Sequence, residues 1–301
     1  MRRVDTLNRE KSRGVVAGIR SARWDRILWH AFIYGLLLAG SFVMFVPLAW
    51  MVSTSLKQTH QVFVFPPIWI PDPIEWINYP NALTVFPFLL YIRNTLIIAS
   101  IALVSSTISS SMSAYAFARL SWPGRDTLFV LVLSTLMIPG IITLVPQFIL
   151  WNRLGFVDTI VPLVAQAVLG GSPIYIFLLR QFMRTIPREM DEAAMLDGCS
   201  KMGILWRMII PMSKEALGIV AIFSFLFHWN DFMAPLIYLN SADKRTLALG
   251  LSAFRASEGG VQPAWNWLMA VSLVAMVPPV MVFFFAQRYF IQGISITGVK
   301  G

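Results

Sequence analysis

Five stretches of this chain, residues 28–52, 94–117, 128–151, 159–179 and 267–287, each run past twenty residues without one Asp, Glu, Lys or Arg. A sixth, residues 216–239, is broken only by Asp231. A hydrocarbon core about 30 Å thick is crossed by about 20 apolar residues in a helix. Lipid cannot satisfy backbone N–H and C=O groups, so runs of this kind must close their own hydrogen bonds as helices. The alternating segments of about ten residues that build a membrane barrel do not occur. The expectation is therefore an all-α membrane protein with six transmembrane helices. Charged residues make up 13% of the chain, about half the share usual in soluble domains, which agrees with that class. The first run is too long for a signal-peptide core and has no small-residue cleavage site after it, so it is expected to stay as an anchor.

Lysine and arginine set the orientation. With both termini placed in the cytoplasm, eighteen of the 24 basic residues fall on the inner side. They lie in the tail 1–26, around Arg119 and Arg125, in the loop 180–215, and in the tail 288–301. The net charge of +9 is then accounted for by loops facing anionic lipid, and nucleic acid is not called for. The whole chain, 1–301, reads as a single transmembrane permease domain with these three cytoplasmic segments. One cysteine, Cys199, excludes an internal disulfide. His30, His60 and His228 are too scattered for a ligand pair, so no metal or cofactor site is expected on this chain. No nucleophile elbow is present, and the glycines near the end lack the Lys and Ser/Thr of a phosphate loop.

The loop 57–88 is dense in proline and aromatics, from Phe65-Pro66-Pro67 to Tyr79-Pro80. It suits either an interfacial belt or a docking surface. Pro139-Gly140, Pro146 and Pro278-Pro279 mark kinks inside spans. Asp231 is the one acid within an apolar run. Such a charge costs roughly 2.5–3.5 kcal/mol at the bilayer centre. Together with Trp229 and Asn230 it is a candidate lining for a translocation path, the alternative being a structural break at which Asp231 caps a helix.

Eleven of the 36 residues in 180–215 are charged, which makes this segment an elbow inside an otherwise apolar chain. Thr185-Ile186-Pro187 signals a helix start, and Glu189, Asp191 and Glu192 favour its positive end. Asp197-Gly198 stops that helix, and Ser200 is placed to cap a second. Met202, Leu205, Trp206 and Ile209 are expected on one face of the second helix, with Pro211 at its end. Ala193 and Ala194 are expected to offer a small-residue face to an approaching partner.

Glu192-Ala193-Ala194, Gly198 and Pro211 have the spacing of the Glu-Ala-Ala loop of ATP-binding-cassette importer permeases, which this segment resembles. Further matches are Phe65-Pro66-Pro67 with Trp69-Ile70-Pro71, Ala114-Tyr115-Ala116-Phe117-Ala118-Arg119, Phe177 to Phe182, Trp229-Asn230-Asp231-Phe232, and the ending Gln287-Arg288-Tyr289 through Gly298-Val299-Lys300-Gly301. They make the chain similar to the smaller, six-span permeases of maltose-type carbohydrate importers. The resemblance implies the type I importer permease fold. It implies docking on an ATPase through Glu192, Ala193, Ala194, Gly198 and Pro211, and a tail contact through Gly298, Val299, Lys300 and Gly301. It further implies a second homologous permease subunit as heterodimer partner, two copies of an ATPase that hold ATP and Mg, and an extracytoplasmic solute-binding protein. A sugar cargo follows from the same likeness, with glycerol phosphates as the alternative. A stand-alone secondary transporter fits less well, because it calls for several intramembrane acids or paired broken helices.

Overall fold

A computed structural model describes the backbone of residues 2–255 and 264–297 and the side chains of 27–255 and 264–287. Among the described residues there is no strand. The chain divides into two compact units, Met1–Glu75 and Trp76–Gly301.

The first unit is a helix and a strap. Helix α1 (Arg2–Ser55) contains an apolar span, Ile27–Ser55, of 29 residues. Its apolar side chains from Ile27 to Phe45 are exposed nearly all round, as suits a helix whose solvent is lipid. The proline-rich segment after it folds back on the end of this helix. Glu75 N–H donates to Leu56 O at 2.9 Å, and Gln61 Nε2 donates to Asp72 O at 2.7 Å. The Trp69 ring meets Trp50 edge-on at 5.0 Å, and the Lys57 ammonium lies over the Trp50 ring at 3.8 Å. Phe65 and Ile70 stay outside this packing. Closely spaced prolines disfavour a helix here, and the segment is held by these backbone and side-chain contacts instead.

In the second unit, α2 (Asn78–Val85) leads into α3 (Phe88–Arg119), the helix against which most others pack. Its inward face carries Ala99, Ala102, Ser106, Ser110, Ala114 and Ala118, all buried, at spacings of three and then four. Membrane helices gain little from hydrophobicity towards one another and associate by close approach of small residues and by interhelical hydrogen bonds. Both occur here. Ser109 Oγ donates to Ala167 O at 2.6 Å on α6 (Val161–Leu169), and Ser113 Oγ to Gly170 O at 3.4 Å. Gly170-Gly171-Ser172 joins α6 to α7 (Pro173–Thr185), and together they form one span, Val161–Thr185.

Among the described residues, four helical segments are long and apolar enough to be spans, and the count reaches six when each of two bent pairs is taken as one span. The run 128–151, in which Pro139-Gly140 marks a kink, is one of those pairs. The segment Arg125–Met137, which is α4 (Arg125–Ser134) and a short 3-10 turn, meets α5 (Gly140–Arg153) at 101°. A residue before proline is pushed towards extended backbone, and Ile138 adopts φ −85°, ψ 115° ahead of Pro139. The second bend, 82°, separates Lys201–Met212, at the end of the elbow, from α11 (Lys214–Asn230).

Candidate functional site

The elbow folds as two short helices. Helix α8 (Glu189–Leu196) starts after Arg188, two residues later than Pro187 indicated, and carries Glu189, Asp191 and Glu192 in its first turn. Gly198 stops it at φ +80°, in the left-handed region that glycine tolerates. Ser200 then caps α9 (Lys201–Ile204), its Oγ accepting from Gly203 N–H at 3.1 Å. A π turn over Leu205–Ile209 follows, in which Ile210 N–H donates to Leu205 O. The wide turn directly precedes Pro211, which lacks an N–H and whose ring crowds the carbonyl four residues back. Pro211 does not end the helix. It sits inside α10 (Ile210–Met212), and the chain turns at Ser213 before α11 (Lys214–Asn230).

Two expectations about which residues face outward are corrected. The buried face of the second arm is Ile204, Leu205 and Ile209, whereas Met202 and Trp206 project outward. The buried arc through Ile204, Leu205 and Ile209 lies to one side of Met202 and Trp206, so the expected stripe splits. Ala193 is exposed but Ala194 is buried, packed with Tyr115, Met183, Leu205 and Val220. Glu192, Ala193, Met195 and Leu196 form the outward surface of the first arm, with Leu196 90% exposed.

Two side chains one turn apart on α3 hold this elbow. Arg119, its side chain 3% exposed, donates through Nη2 to Met183 O at 2.6 Å and Ile186 O at 2.7 Å. Its Nη1 lies 3.3 Å from Asp191 Oδ2. Tyr115 Oη donates to Lys201 O at 2.9 Å, the first residue of α9. Both arms of the elbow are thus bonded to one helix. The i, i+4 spacing of Tyr115 and Arg119 puts them on one face, but it does not say which distant segment that face meets. Nearby, Arg180 Nε donates to Phe117 O at 3.2 Å, and its guanidinium covers the Phe129 ring at 3.9 Å.

The Phe88 end of α3 is fastened as well. Asn94 Nδ2 donates to Asp243 O at 2.8 Å and Arg245 O at 3.0 Å, and Thr95 Oγ1 accepts from Leu247 N–H at 2.8 Å. Leu247 opens α13 (Leu247–Arg255). The same loop is gripped by Asp158, which accepts from Asn240 N–H, Ser241 N–H and the Lys244 ammonium at 2.9, 3.0 and 2.8 Å. The Lys244 and Ser241 bonds hold the Asp158 carboxyl well below the usual carboxylate range.

The three residues at the end of α11 are held in three different ways. Trp229 is buried, stacked on Phe225 at 5.5 Å, with Nε1 donating to Ala275 O on α14 (Trp265–Thr297). Asn230 is exposed, and its side chain bonds back to Leu226 O at 2.8 Å. Asp231 leaves the helix at φ −66°, ψ 121°, and Oδ1 accepts from Ala234 N–H at 3.3 Å, capping α12 (Met233–Tyr238). This bond has the form that the capping alternative expects. Asp231→Asn, which retains the acceptor, is expected to leave thermal stability near that of the natural chain. Asp231→Ala is expected to lose about 1 kcal/mol, read from the unfolding midpoint in detergent. Gly298, Val299, Lys300 and Gly301 lie outside the described residues.

Residues 14–296 match the family of binding-protein-dependent transport system inner membrane components. The chain is 34% identical over 256 residues to the putative ABC transporter permease protein ORF2 of Caldicellulosiruptor sp. (strain Rt8B.4), covering 85% of this chain and 92% of that protein. It is 33% identical over 265 residues to the arabinooligosaccharides transport system permease protein AraQ of Halalkalibacterium halodurans, covering 87% and 93%. The inner membrane ABC transporter permease protein YcjP of Escherichia coli (strain K12) is 32% identical, with 83% and 89% covered. In fold, the chain is similar to a crystal structure of a bacterial ABC transporter involved in the import of alginate. The TM-score is 0.77 at 22% identity, covering 89% of this chain and 98% of that one. With 283 consecutive residues inside the family's bounds and relatives of this identity along most of its length, the chain belongs to the binding-protein-dependent transport system inner membrane components.

Proposed function

We propose that this chain is the six-span permease subunit of an ATP-driven importer that brings a sugar or oligosaccharide through the inner membrane. Both termini and the elbow face the cytoplasm in this reading, in keeping with the bias of Lys and Arg. The chain carries no ATPase site of its own. ATP and Mg are held by two copies of a separate ATPase, a second homologous permease completes the channel, and an external solute-binding protein delivers the cargo. The carbohydrate cargo is supported by relatives named for arabinooligosaccharides and diacetylchitobiose.

The observation that carries the reading is the elbow itself. It is a two-helix projection whose inner face is packed on α3, α7 and α11 while Glu192, Ala193, Leu196, Met202 and Trp206 point out. A membrane protein keeps such an apolar and acidic projection where another protein covers it. ATP-driven closure of the ATPase then moves the elbow, and the spans shift between outward- and inward-open states through contacts that differ in the two.

Co-purification tests this. A tagged chain, expressed with its neighbouring transport subunits, should bring down an ATPase, and Glu192→Ala or Gly198→Val should weaken that capture at least tenfold. The valine places a side chain at φ +80°, where an L-residue costs roughly 1–2 kcal/mol. Accumulation of sugar by the purified chain alone, using only an ion gradient, would overturn the proposal.

A further inference from the structure

Helix α3 is bonded at both ends to segments that the chain reaches much later. At its Arg119 end it holds both arms of the elbow; at its Phe88 end it holds the loop 239–247. It has 32 residues, a rod about 48 Å long at 1.5 Å per residue. We propose that Arg119 is the positioning residue that locks the elbow to α3, so that α3 carries displacement of the elbow to the 239–247 loop at its other end.

Three features support this. Arg119 bonds three separate pieces at once, the end of α7 (Met183 O), the linker (Ile186 O) and the first turn of α8 (Asp191), so the elbow cannot move as a unit without pulling on it. These bonds are charge-assisted and shielded from water, hence stiffer than surface contacts. Moreover, the pairing with Asp191 is incomplete. Arg119 Nε and Asp191 Oδ1 are both buried and have no hydrogen-bond partner among the described residues. Moving the carboxylate from Nη1 towards the Nε edge of the guanidinium would use both idle groups. The same two side chains therefore have a second pairing within reach, which is what a two-position coupling element needs. Tyr115 alone would tether only α9, and Arg180 bonds α3 without touching α8.

The proposal rests on the transporter reading above and is tested in the assembled complex. The probe is ATP with vanadate, and the readout is the rate at which a maleimide labels a cysteine at exposed position 243, introduced as Asp243→Cys in a Cys199→Ser background. In the otherwise natural chain, trapping should change that rate about tenfold. With Arg119→Lys, which keeps the charge but not the fork, the response should fall below twofold while ATP hydrolysis continues. Asp191→Asn, which leaves the two carbonyl bonds in place and is the gentler change, should give an intermediate response. A full response in both variants would overturn the proposal, as would its absence in the otherwise natural chain with ATPase bound. So would hydrolysis and response declining in parallel, since that marks a fold or assembly defect. Failure to capture any ATPase with the otherwise natural chain would take down the transporter reading and this inference with it.

Discussion

Gly171→Ala should destabilise the second unit by about 2–5 kcal/mol. Gly171 sits at φ +79° in the joint between α6 and α7, and a Cβ built there would lie 2.0 Å from Ser110 Oγ and 3.0 Å from Ser110 N and Cβ. The left-handed backbone contributes roughly 1–2 kcal/mol of strain for an L-residue. Overpacking contributes typically about 1–3 kcal/mol more. Ser110 cannot step aside cheaply, because it is itself fully buried on the small-residue face of α3. The expected result is a lower unfolding midpoint and a smaller folded fraction in detergent. The two causes separate in a cycle with Ser110→Gly, which opens the steric contact without touching the backbone strain; the double variant should recover only the overpacking share. Gly40→Ala on α1 is the control. Nothing lies within 4 Å of a Cβ there, and alanine in a helix interior gains roughly 0.5–1 kcal/mol over glycine. Equal behaviour of the two substitutions would show that α3 and the α6–α7 joint are not in close contact.

That contact also shows what could and could not be read from residues alone. The apolar runs fixed the class and the approximate spans, because lipid leaves so few solutions for the backbone. Short-range chemistry in the elbow was equally plain, since Gly198 and Ser200 act on their immediate neighbours. What the runs concealed were events set by tertiary partners. A proline-glycine pair inside 128–151 is compatible with a slight kink or with the 101° turn observed, and periodicity does not choose between them. Periodicity groups Met202 and Trp206 with Leu205 and Ile209, but the packing partners bury the neighbouring arc that includes Ile204 and leave Met202 and Trp206 outside. Ala194 seemed available to a partner, yet α3 and α7 claim it. Asp231 is an acid in an apolar run, and only the folded start of α12 supplies the Ala234 N–H that its carboxylate accepts from. Arg119 and Asp191 lie 72 residues apart in sequence, so neither residue type nor spacing pairs them.

Leu196→Glu should abolish capture of the ATPase while leaving the fold intact. The reasoning turns on its exposure. At 90% exposed, Leu196 contributes little to internal packing, and surface substitutions away from caps and cores usually change stability by no more than about 0.5 kcal/mol. An effect on partner binding therefore cannot be traced to unfolding. A side chain that serves as the anchor in a partner's pocket costs about 2 kcal/mol or more when removed, a weakening of about 30-fold at 1.4 kcal/mol per decade. A carboxylate forced into the same place adds its own desolvation. Leu196→Ala should consequently show the smaller loss and Leu196→Glu no detectable complex, with unfolding midpoints of both within about 2 °C of the unaltered chain. Measured alongside Glu192→Ala, the pair also divides the surface by chemistry. If the glutamate substitution at 196 is tolerated but Glu192→Ala is not, the elbow docks through its acidic edge. The converse result would mean that the leucine side of α8 enters the groove, and the exposed Met202 and Trp206 of the second arm would be the next positions to change.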